Sequence, residues 1–424
     1  MGDSPARTRA WVLHPDIPSK NTNRDPALAL EEAVSLAHAL PELEVAGDAV
    51  MRLKAPHPGT LFGKGKLEEL RQLFEAEEIE LVLIDGPVSP VQQRNLEKAW
   101  GLKLLDRTGL ILEIFSDRAA TREGVLQVEM AALSYQRTRL VRAWTHLERQ
   151  RGGLGFVGGP GETQIEADRR AIDDQLVRLR RQLAKVIKTR TLHRAARAKV
   201  PFPIVALVGY TNAGKSTLFN RLTGAEVMAK DMLFATLDPT MRKIELPGGG
   251  PQIILSDTVG FISDLPTELV AAFRATLEEV LEADLICHVR DISHPESEAQ
   301  ARDVAAIMES LGVLETTPQI EIWNKVDRLD GEAKTAVLTR AERGEDVHAI
   351  SAVTGEGIDP LVEAITETLA GTTIEEELLL SFAEGRQRAW LYERGLVEGE
   401  AQGEDGYMLS LRWTAMQKAQ FESL

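Results

Sequence analysis

The fold of the central part of the chain can be predicted from the sequence Ile204-Val-Ala-Leu-Val-Gly-Tyr-Thr-Asn-Ala-Gly-Lys-Ser216. Its first five residues are apolar and predict a buried strand, and the following TLFNRL has the spacing of a helix. Between them lies the spacing GxxxxGKS, which in a strand-loop-helix context predicts a phosphate loop. The residues predicted to bind phosphate are Gly209, Tyr210, Thr211, Asn212, Ala213, Gly214, Lys215 and Ser216.

The residue types in this loop fit phosphate chemistry. Glycine allows backbone N–H groups to wrap around phosphates, and the N-terminus of the next helix adds a favourable dipole. Lys215 can neutralise the β and γ oxygens, and Ser216 can offer its hydroxyl to Mg²⁺. The loop therefore predicts a nucleotide with magnesium.

A second motif follows the apolar run QIILS, where the chain continues as Asp257-Thr-Val-Gly260. A carboxylate at this place can hold magnesium through water, and the N–H of the glycine can contact the γ-phosphate. The first switch is expected between the two motifs, at FATLD, where Thr236 is favoured over Thr240 as a magnesium ligand. The other nucleotide-binding predictions here are Phe234, Ala235, Leu237, Asp238, Thr258 and Val259. The predicted metal ligands are Ser216, Thr236 and Asp257, and the predicted catalytic residues are Lys215, Thr236 and Gly260.

A third motif predicts guanine as the base. A carboxylate at Asp327, after the apolar QIEIW, can accept hydrogen bonds from the ring N–H and the exocyclic amine of guanine, and adenine offers neither donor. A short segment after VHAI is expected to contact the guanine oxygen through its backbone. The residues in these two segments are Asn324, Lys325, Val326, Asp327, Ser351, Ala352 and Val353. All the motifs stand in the order of a Ras-like G domain, so the expected substrate is GTP.

One position departs from that pattern. Phe261 follows Gly260, where Ras-like enzymes carry a glutamine that positions water. Because phenylalanine cannot orient water by hydrogen bonding, we expect slow intrinsic hydrolysis that a partner, a monovalent cation or another residue completes. Asn212 resembles the asparagine of potassium-activated GTPases, which makes K⁺ an additional candidate cofactor.

The chain of 424 residues is long enough for several domains, and its net charge of −16 is unevenly distributed. Residues 118–199 carry 18 Lys+Arg against 8 Asp+Glu, which indicates a nucleic-acid contact, although a solvated helical surface is the alternative. Apolar residues there recur at steps of 3.5, which predicts two helices packed as a coiled-coil hairpin. Six glycines between positions 152 and 161, in RGGLGFVGGPGETQ, predict a loop at its tip, with Leu154 and Phe156 available for docking or simply part of a connector.

The whole chain is predicted to be an α/β protein. We expect an N-terminal α/β domain with a largely parallel sheet at 1–115, the helical hairpin at 116–200, the G domain at 201–370 and a small C-terminal α/β domain at 371–424. The single cysteine, Cys287, is expected to be a buried thiol. No signal peptide or membrane span is expected, and a cytoplasmic monomer fits.

Several segments together resemble the HflX family of ribosome-associated GTPases. They are GKGKLEEL, LLDRTGLILEIFSDRAATREGVLQVEMAAL, GGLGFVGGPGETQIEADRR and FATLDPT, and the resemblance covers nearly the whole chain. It implies binding to the large ribosomal subunit and its RNA, splitting of stalled ribosomes under stress, and GTP hydrolysis that the ribosome stimulates. It also implies that the glycine-rich loop reaches towards the peptidyl-transferase region.

Two alternatives remain at the sequence level. The protein could be a GTP-gated module that inhibits the ribosome and uses hydrolysis only for release. Gly63-Lys-Gly-Lys66 could serve adenine-nucleotide binding in the N-terminal domain, and with it an ATP-dependent RNA helicase, although a glycine turn before a helix is favoured because the full phosphate-loop spacing is missing. A metal-dependent hydrolase is disfavoured because the eight histidines form no spaced cluster.

Overall fold

The computed structural model describes most of the chain. The described residues are 7–18, 24–150, 160–197, 202–224, 233–234, 240–246, 252–263, 278–281, 283–313, 317–370, 373–403, 406–414, 417–418 and 421, without the side chains of 140–150, 160–165, 189–197, 370, 373–374, 393 and 414. The fold divides into two compact units, 1–244 with 253–356, and 245–252 with 357–424.

The first unit begins with a four-stranded parallel sheet in the order β2-β1-β3-β4. Its strands are β1 (Thr8–Asp16), β2 (Leu43–Arg52), β3 (Leu81–Ile84) and β4 (Lys103–Asp106). Its helices are α1 (Pro26–His38), α2 (Lys64–Ala76), α3 (Pro90–Trp100) and α4 (Arg107–Arg118). The parallel sheet expected from the sequence is confirmed.

Strand β2 was not predicted, because glycine and aspartate interrupt its apolar pattern. The structure explains the glycine: a Cβ on Gly47 would lie 2.4 Å from the ring of Trp11 on the neighbouring strand. The register of the two strands shifts by one residue at that point, which leaves Ala46 unpaired as a bulge.

Side chains cap the helices that follow these strands. Ser89 accepts a hydrogen bond from the N–H of Gln92 at 3.2 Å, and the Gln92 side chain accepts one from the N–H of Ser89 at 2.9 Å, which is a capping box at the start of α3. Asp106 caps α4 by accepting from the N–H of Gly109 at 2.8 Å. The GKGK segment is a glycine cap and the first turn of α2, as favoured from the sequence.

The two long helices predicted from the apolar periodicity are α5 (Arg122–Gln150) and α6 (Pro160–Arg197). On α6, Leu176 and Leu179 are buried while their neighbours are exposed, so the predicted stripe is the covered face. The loop prediction extended too far, because α6 already begins at Pro160, a residue well suited to the first helical position. Residues 151–159, which include most of the glycine-rich tip, lie outside the described residues.

The second sheet of this unit has six strands in the order β10-β9-β8-β5-β7-β6. The strands are β5 (Ile204–Gly209), β6 (Thr240–Glu245), β7 (Gln252–Asp257), β8 (Leu285–Asp291), β9 (Gln319–Asn324) and β10 (Val347–Ala349). The helices are α7 (Lys215–Thr223), α8 (Glu278–Leu281), α9 (Ser297–Leu311), a 3₁₀ helix (Val326–Arg328) and α10 (Gly331–Glu342).

Strand β5 pairs in parallel with both β7 and β8, and β8 with β9. The carboxyl ends of β5, β7 and β9 therefore meet at one edge of the sheet, which is where ligands bind in open α/β sheets. Cys287 on β8 is fully buried, as predicted, and burial raises the pKa of its thiol to about 12.

The second unit contains α11 (Ile358–Ala370), β11 (Thr373–Ser381), α12 (Gly385–Glu393), β12 (Val397–Gln402) and β13 (Gly406–Thr414). The three strands form an antiparallel sheet in the order β11-β13-β12, with Trp413 and Leu391 buried in its core. A small C-terminal α/β fold was expected, but the polar strand β12 was not. Among the residues described here, no helix has the length and apolar character needed to cross a membrane.

Candidate nucleotide-binding site

The phosphate loop joins β5 to α7, and two of its glycines are required by the packing. Gly209 has φ +152°, and a Cβ there would lie 2.1 Å from the carbonyl oxygen of Val289. Gly214 has φ +96°, and a Cβ there would lie 2.2 Å from the side-chain nitrogen of Asn324. Neither clash can be relieved easily, so these two positions demand glycine.

Lys215 is buried at the start of α7, with its ammonium folded onto the loop. It donates hydrogen bonds to the carbonyl oxygens of Gly209 at 3.1 Å and Tyr210 at 2.9 Å. Burial lowers the pKa of this lysine to about 8; Asp257 opposes that effect and Lys325 adds to it. A buried ammonium with a lowered pKa is stabilised by a bound anion, which is the role predicted for it.

Two of the three predicted magnesium ligands lie side by side. The hydroxyl of Ser216, in the first turn of α7, donates to the carboxylate of Asp257 at 2.6 Å, at the end of β7. A hydroxyl and a carboxylate are oxygen donors of the kind Mg²⁺ prefers, so the pair fits this ion. The third predicted ligand, Thr236, lies outside the described residues, as do Ala235, Leu237 and Asp238.

The side-chain amide of Asn324 connects the two segments predicted to recognise guanine with the phosphate loop. Asn324 donates to the carbonyl oxygen of Ala213 at 2.8 Å and accepts from the N–H of Ala352 at 2.9 Å. The carboxylate of Asp327 is exposed at the 3₁₀ helix, and Val353 is 67% exposed. Lys325 donates to Asp291 at 2.8 Å. The edge of the sheet thus brings together three of the predicted motifs.

Arg221 is a contributor that the sequence did not reveal. Its guanidinium, on α7, donates to the carbonyl oxygens of Ala352 and Val353. Gly355 gives it room, since a Cβ at that position would lie 2.8 Å from the guanidinium. The helix that begins at Lys215 therefore also holds the segment expected to face the guanine oxygen.

Three of the predicted nucleotide-binding residues have their side chains in the packed interior. The hydroxyl of Thr258 donates to the carbonyl oxygen of Leu207 at 2.7 Å, and Val259 is buried. Phe234 is also buried, with its ring edge-on to Phe115 at 4.6 Å between centroids. In these three predicted residues the side chains belong to the protein core.

Phe261 is held against the phosphate loop. Its side chain is 2% exposed and lies in the apolar core. Its N–H donates to the carbonyl oxygen of Gly209 at 3.1 Å, and its carbonyl oxygen accepts from the N–H of Thr211 at 2.7 Å. Both backbone groups are engaged, so this residue stabilises the position of the segment and offers no side-chain group to water.

A buried polar network joins this segment to the N-terminal sheet. The hydroxyl of Tyr210 donates to Glu32 on α1 and accepts from the N–H of Ser263 at 2.7 Å. Ser263 donates to the same glutamate at 2.8 Å. Arg107 donates to Glu32, to Asp85 at 2.6 Å, and to the hydroxyl of Ser263 at 2.9 Å. Sequence motifs gave no signal for this network.

Arg107 compensates the negative charges of Glu32 and Asp85 within this network. Burial alone would raise the pKa of Glu32 and of Asp85, but Arg107 and their hydrogen bonds hold both below their ordinary values. Next to Arg107, Asp106 accepts from Tyr135 and Arg139 on α5. Adjacent residues at the start of α4 thus contact α5 on one side and Ser263, two residues after Phe261, on the other.

Four family models match the chain in succession. They are described as "GTP-binding GTPase N-terminal" over residues 28–116, "GTP-binding GTPase Middle Region" over 118–197, "50S ribosome-binding GTPase" over 204–325 and "HflX C-terminal domain" over 336–423.

Similar proteins are found in bacteria and in eukaryotes. The chain is 49% identical to GTPase HflX of Magnetococcus marinus, over 89% of this chain and 86% of that protein, and 46% identical to GTPase HflX of Escherichia coli, over 83% and 82%. It is 35% identical to putative GTP-binding protein 6 of Xenopus laevis, over 92% and 74%. Among solved structures, a GTP-binding protein from Sulfolobus solfataricus in complex with GDP matches 85% of this chain and 98% of its own, at 22% identity and a TM-score of 0.45.

Proposed function

The chain belongs to the HflX family of GTPases, and on that premise we propose that it binds the large ribosomal subunit and there hydrolyses GTP to GDP and phosphate with Mg²⁺. The observation that carries the proposal is the convergence of the phosphate loop, Asp257 and Asn324 at one sheet edge, joined by direct hydrogen bonds. The work it would perform is the splitting or rescue of stalled ribosomes under stress, as a cytoplasmic monomer.

Each part of the site has a proposed role. Lys215 neutralises the β and γ oxygens, and the N–H of Gly260 contacts the γ-phosphate. Mg²⁺ is held by Ser216, by Asp257 through water, and by Thr236. Asp327 accepts from the guanine ring, and the backbone of 351–353 contacts its oxygen. The other proposed nucleotide-binding residues are Gly209, Tyr210, Thr211, Asn212, Ala213, Gly214, Phe234, Ala235, Leu237, Asp238, Thr258, Val259, Asn324, Lys325 and Val326.

Dependence on a partner is supported by the burial of Phe261, which leaves intrinsic hydrolysis without the usual glutamine. The hairpin is the part suited to RNA, because its arginines can contact phosphates without selecting a sequence. Its base contacts Asp106, next to Arg107, which hydrogen-bonds to Ser263. Binding at the hairpin could therefore be transmitted to the nucleotide site through contiguous contacts.

Potassium is a proposed additional cofactor. Asn212 is exposed in the phosphate loop with φ +58°, where its side chain is accessible to solvent. A monovalent cation there would add positive charge beside the γ-phosphate. Identical turnover in K⁺ and in Na⁺ would remove this part of the proposal.

The decisive experiment compares the GTPase rate with and without large subunits, for the wild type and for a deletion of residues 152–161. We expect strong stimulation of the wild type and little of the deletion, with equal GDP affinity as the control for an intact G domain. Equal stimulation of both proteins would break the link between hairpin tip and ribosome. Sucrose gradients with a non-hydrolysable GTP analogue then separate subunit splitting from an inhibitory module, which would bind without dissociating the subunits.

A further inference from the structure

The hydroxyl of Thr211 is an unusual feature of the phosphate loop. The side chain is 6% exposed, and its oxygen has no hydrogen-bond partner among the described residues. A buried hydroxyl without a partner costs about 1–3 kcal/mol, and buried polar atoms in proteins rarely go unsatisfied. The other buried threonine at this edge, Thr258, is bonded to a carbonyl oxygen at 2.7 Å. The unsatisfied hydroxyl can therefore take a ligand, since no described residue bonds to it.

The surroundings of Thr211 identify where that ligand lies. A Cβ built on Gly260 would be 2.8 Å from the methyl carbon of Thr211 and 3.1 Å from the ammonium nitrogen of Lys215. Thr211 and Lys215 thus border the glycine from neighbouring positions. Because Lys215 and Gly260 are the groups proposed to contact the γ-phosphate, the Thr211 side chain borders the place of the reaction.

The backbone N–H of Thr211 is already engaged. It donates to the carbonyl oxygen of Phe261 at 2.7 Å, whereas the hydroxyl is without a partner among the described residues. Phe261 stands where Ras-like enzymes carry the glutamine that positions water. Phe261 cannot orient water by hydrogen bonding, but Thr211, to which it is bonded, has an unsatisfied hydroxyl that can.

We propose that Thr211 is a catalytic residue whose hydroxyl accepts a hydrogen bond from the attacking water and orients it towards the γ-phosphorus. The proposal rests on GTP hydrolysis at this site. The water oxygen forms a bond to the γ-phosphorus while the bond from that phosphorus to the β–γ bridging oxygen breaks. The electron pair leaves on GDP, and a proton of the water ends on inorganic phosphate. The threonine is neither consumed nor deprotonated.

The test uses two substitutions in the full-length protein, assayed without ribosomes. Thr211→Val keeps the shape of the side chain and removes the hydroxyl, whereas Thr211→Ser keeps the hydroxyl and removes the methyl group. We expect Thr211→Val to lower kcat by on the order of 100-fold, the effect typical of losing one preorganised hydrogen-bonding group. Thr211→Ser should retain most of the wild-type rate.

Binding and stability measurements separate this role from general damage to the loop. The affinity of Thr211→Val for GDP should match the wild type, while its affinity for GDP with aluminium fluoride should fall by the same factor as kcat. Its melting temperature should equal or exceed that of the wild type, because an unsatisfied oxygen is replaced by a methyl group. Thr258→Val, which breaks an existing hydrogen bond, should lower the melting temperature and is the matched stability control.

An unchanged kcat in Thr211→Val would overturn the assignment. A loss in Thr211→Ser as large as in Thr211→Val would also overturn it, because the methyl contact with Gly260 would then be responsible. So would a parallel loss of GDP affinity. Repeating the assay with large subunits distinguishes the two proposals. If Thr211→Val lowers the basal turnover but large subunits do not stimulate the wild type, only the proposed ribosomal function is refuted.

Discussion

Replacing Arg107 by methionine should destabilise the N-terminal sheet by about 3–5 kcal/mol, the range for removing one partner from a buried ion pair. The side chain of Arg107 is 8% exposed and pairs with those of Glu32 and Asp85, which are 14% and 7% exposed. Its removal leaves two buried negative charges without their principal counterion. Methionine preserves most of the apolar volume, so the loss reports on charge compensation.

Hydrogen exchange is the suitable assay, because a chain with two compact units need not unfold in one step. In the strands β1 and β3, the amide exchange rate should rise by roughly two to nearly four powers of ten, since about 1.4 kcal/mol corresponds to a factor of ten. Arg71→Met is the matched control. That arginine also contacts two carboxylates, Glu68 and Glu75, at 2.7 and 2.8 Å, but on the exposed surface of α2. Its exchange pattern should be unchanged.

The loss of stability caused by Arg107→Met should also depend on pH. In the wild type, the pKa values of Glu32 and Asp85 are lowered, so their stabilising contribution is complete above about pH 5 and is lost as the pH falls through the lowered values. Without Arg107, burial raises both pKa values, and ionisation then destabilises the fold as the pH rises. Arg24, which lies beside Glu32, and His14, which hydrogen-bonds to Asp85, remain in place. The variant should be closer to the wild type at pH 5 than at pH 7.5, and a deficit below about 1 kcal/mol, or one equal at both values, would refute the reasoning.

Three further predictions concern the nucleotide. Arg221→Gln should weaken GDP and GTP binding about tenfold with little change in kcat, because two charge-assisted hydrogen bonds to the segment expected to face guanine are lost. A fluorescent-nucleotide titration that gives the variant and the wild type equal affinities would contradict this. GDP affinity should fall as the pH rises above about 8, because the anion binds the protonated form of Lys215, whose pKa in the free protein is about 8. Calorimetry in two buffers should detect proton uptake on GDP binding between about pH 8 and 10. An affinity that does not depend on pH would exclude this role of Lys215. Asp327→Asn should shift selectivity from GTP towards XTP by on the order of 100-fold in competition binding, because xanthine carries an oxygen where guanine carries the amine; retained preference for GTP would remove Asp327 from base recognition.

The sequence alone was sufficient to predict those parts of the site whose residues are neighbours in the chain. A phosphate loop must place its glycines, lysine and serine within one turn between a strand and a helix, so its spacing can be recognised without a structure. The apolar stripe of α6 was likewise predictable, because Leu176 and Leu179 lie on one helical face. Strand β2 was missed because the ring of Trp11 occupies the space above Gly47, and that contact is not visible in a local pattern.

The features that the sequence did not predict are mainly contacts between segments that are far apart in the chain. Glu32 and Arg107 are 75 positions apart, and Arg107 and Ser263 are 156 apart. No period or spacing connects them, because their proximity arises only when both sheets are complete. Tyr210 illustrates the difference: its place in the phosphate loop was predicted, but the hydrogen bonds of its hydroxyl to Glu32 and Ser263 were not. Thr211 is similar, since an unsatisfied hydroxyl can be recognised only in three dimensions.

The distance along the chain between Arg107 and Ser263 has a consequence for synthesis. At about 5–20 residues per second, the ribosome completes Ser263 roughly 8–30 s after Arg107. During that interval the nascent N-terminal sheet can form its own pairing, but Glu32 and Arg107 lack their hydrogen-bond partners Tyr210 and Ser263. The N-terminal sheet and its helices therefore acquire their final packing only after strands β5 to β7 have been translated, so their maturation is tied to the folding of the later part of the same unit.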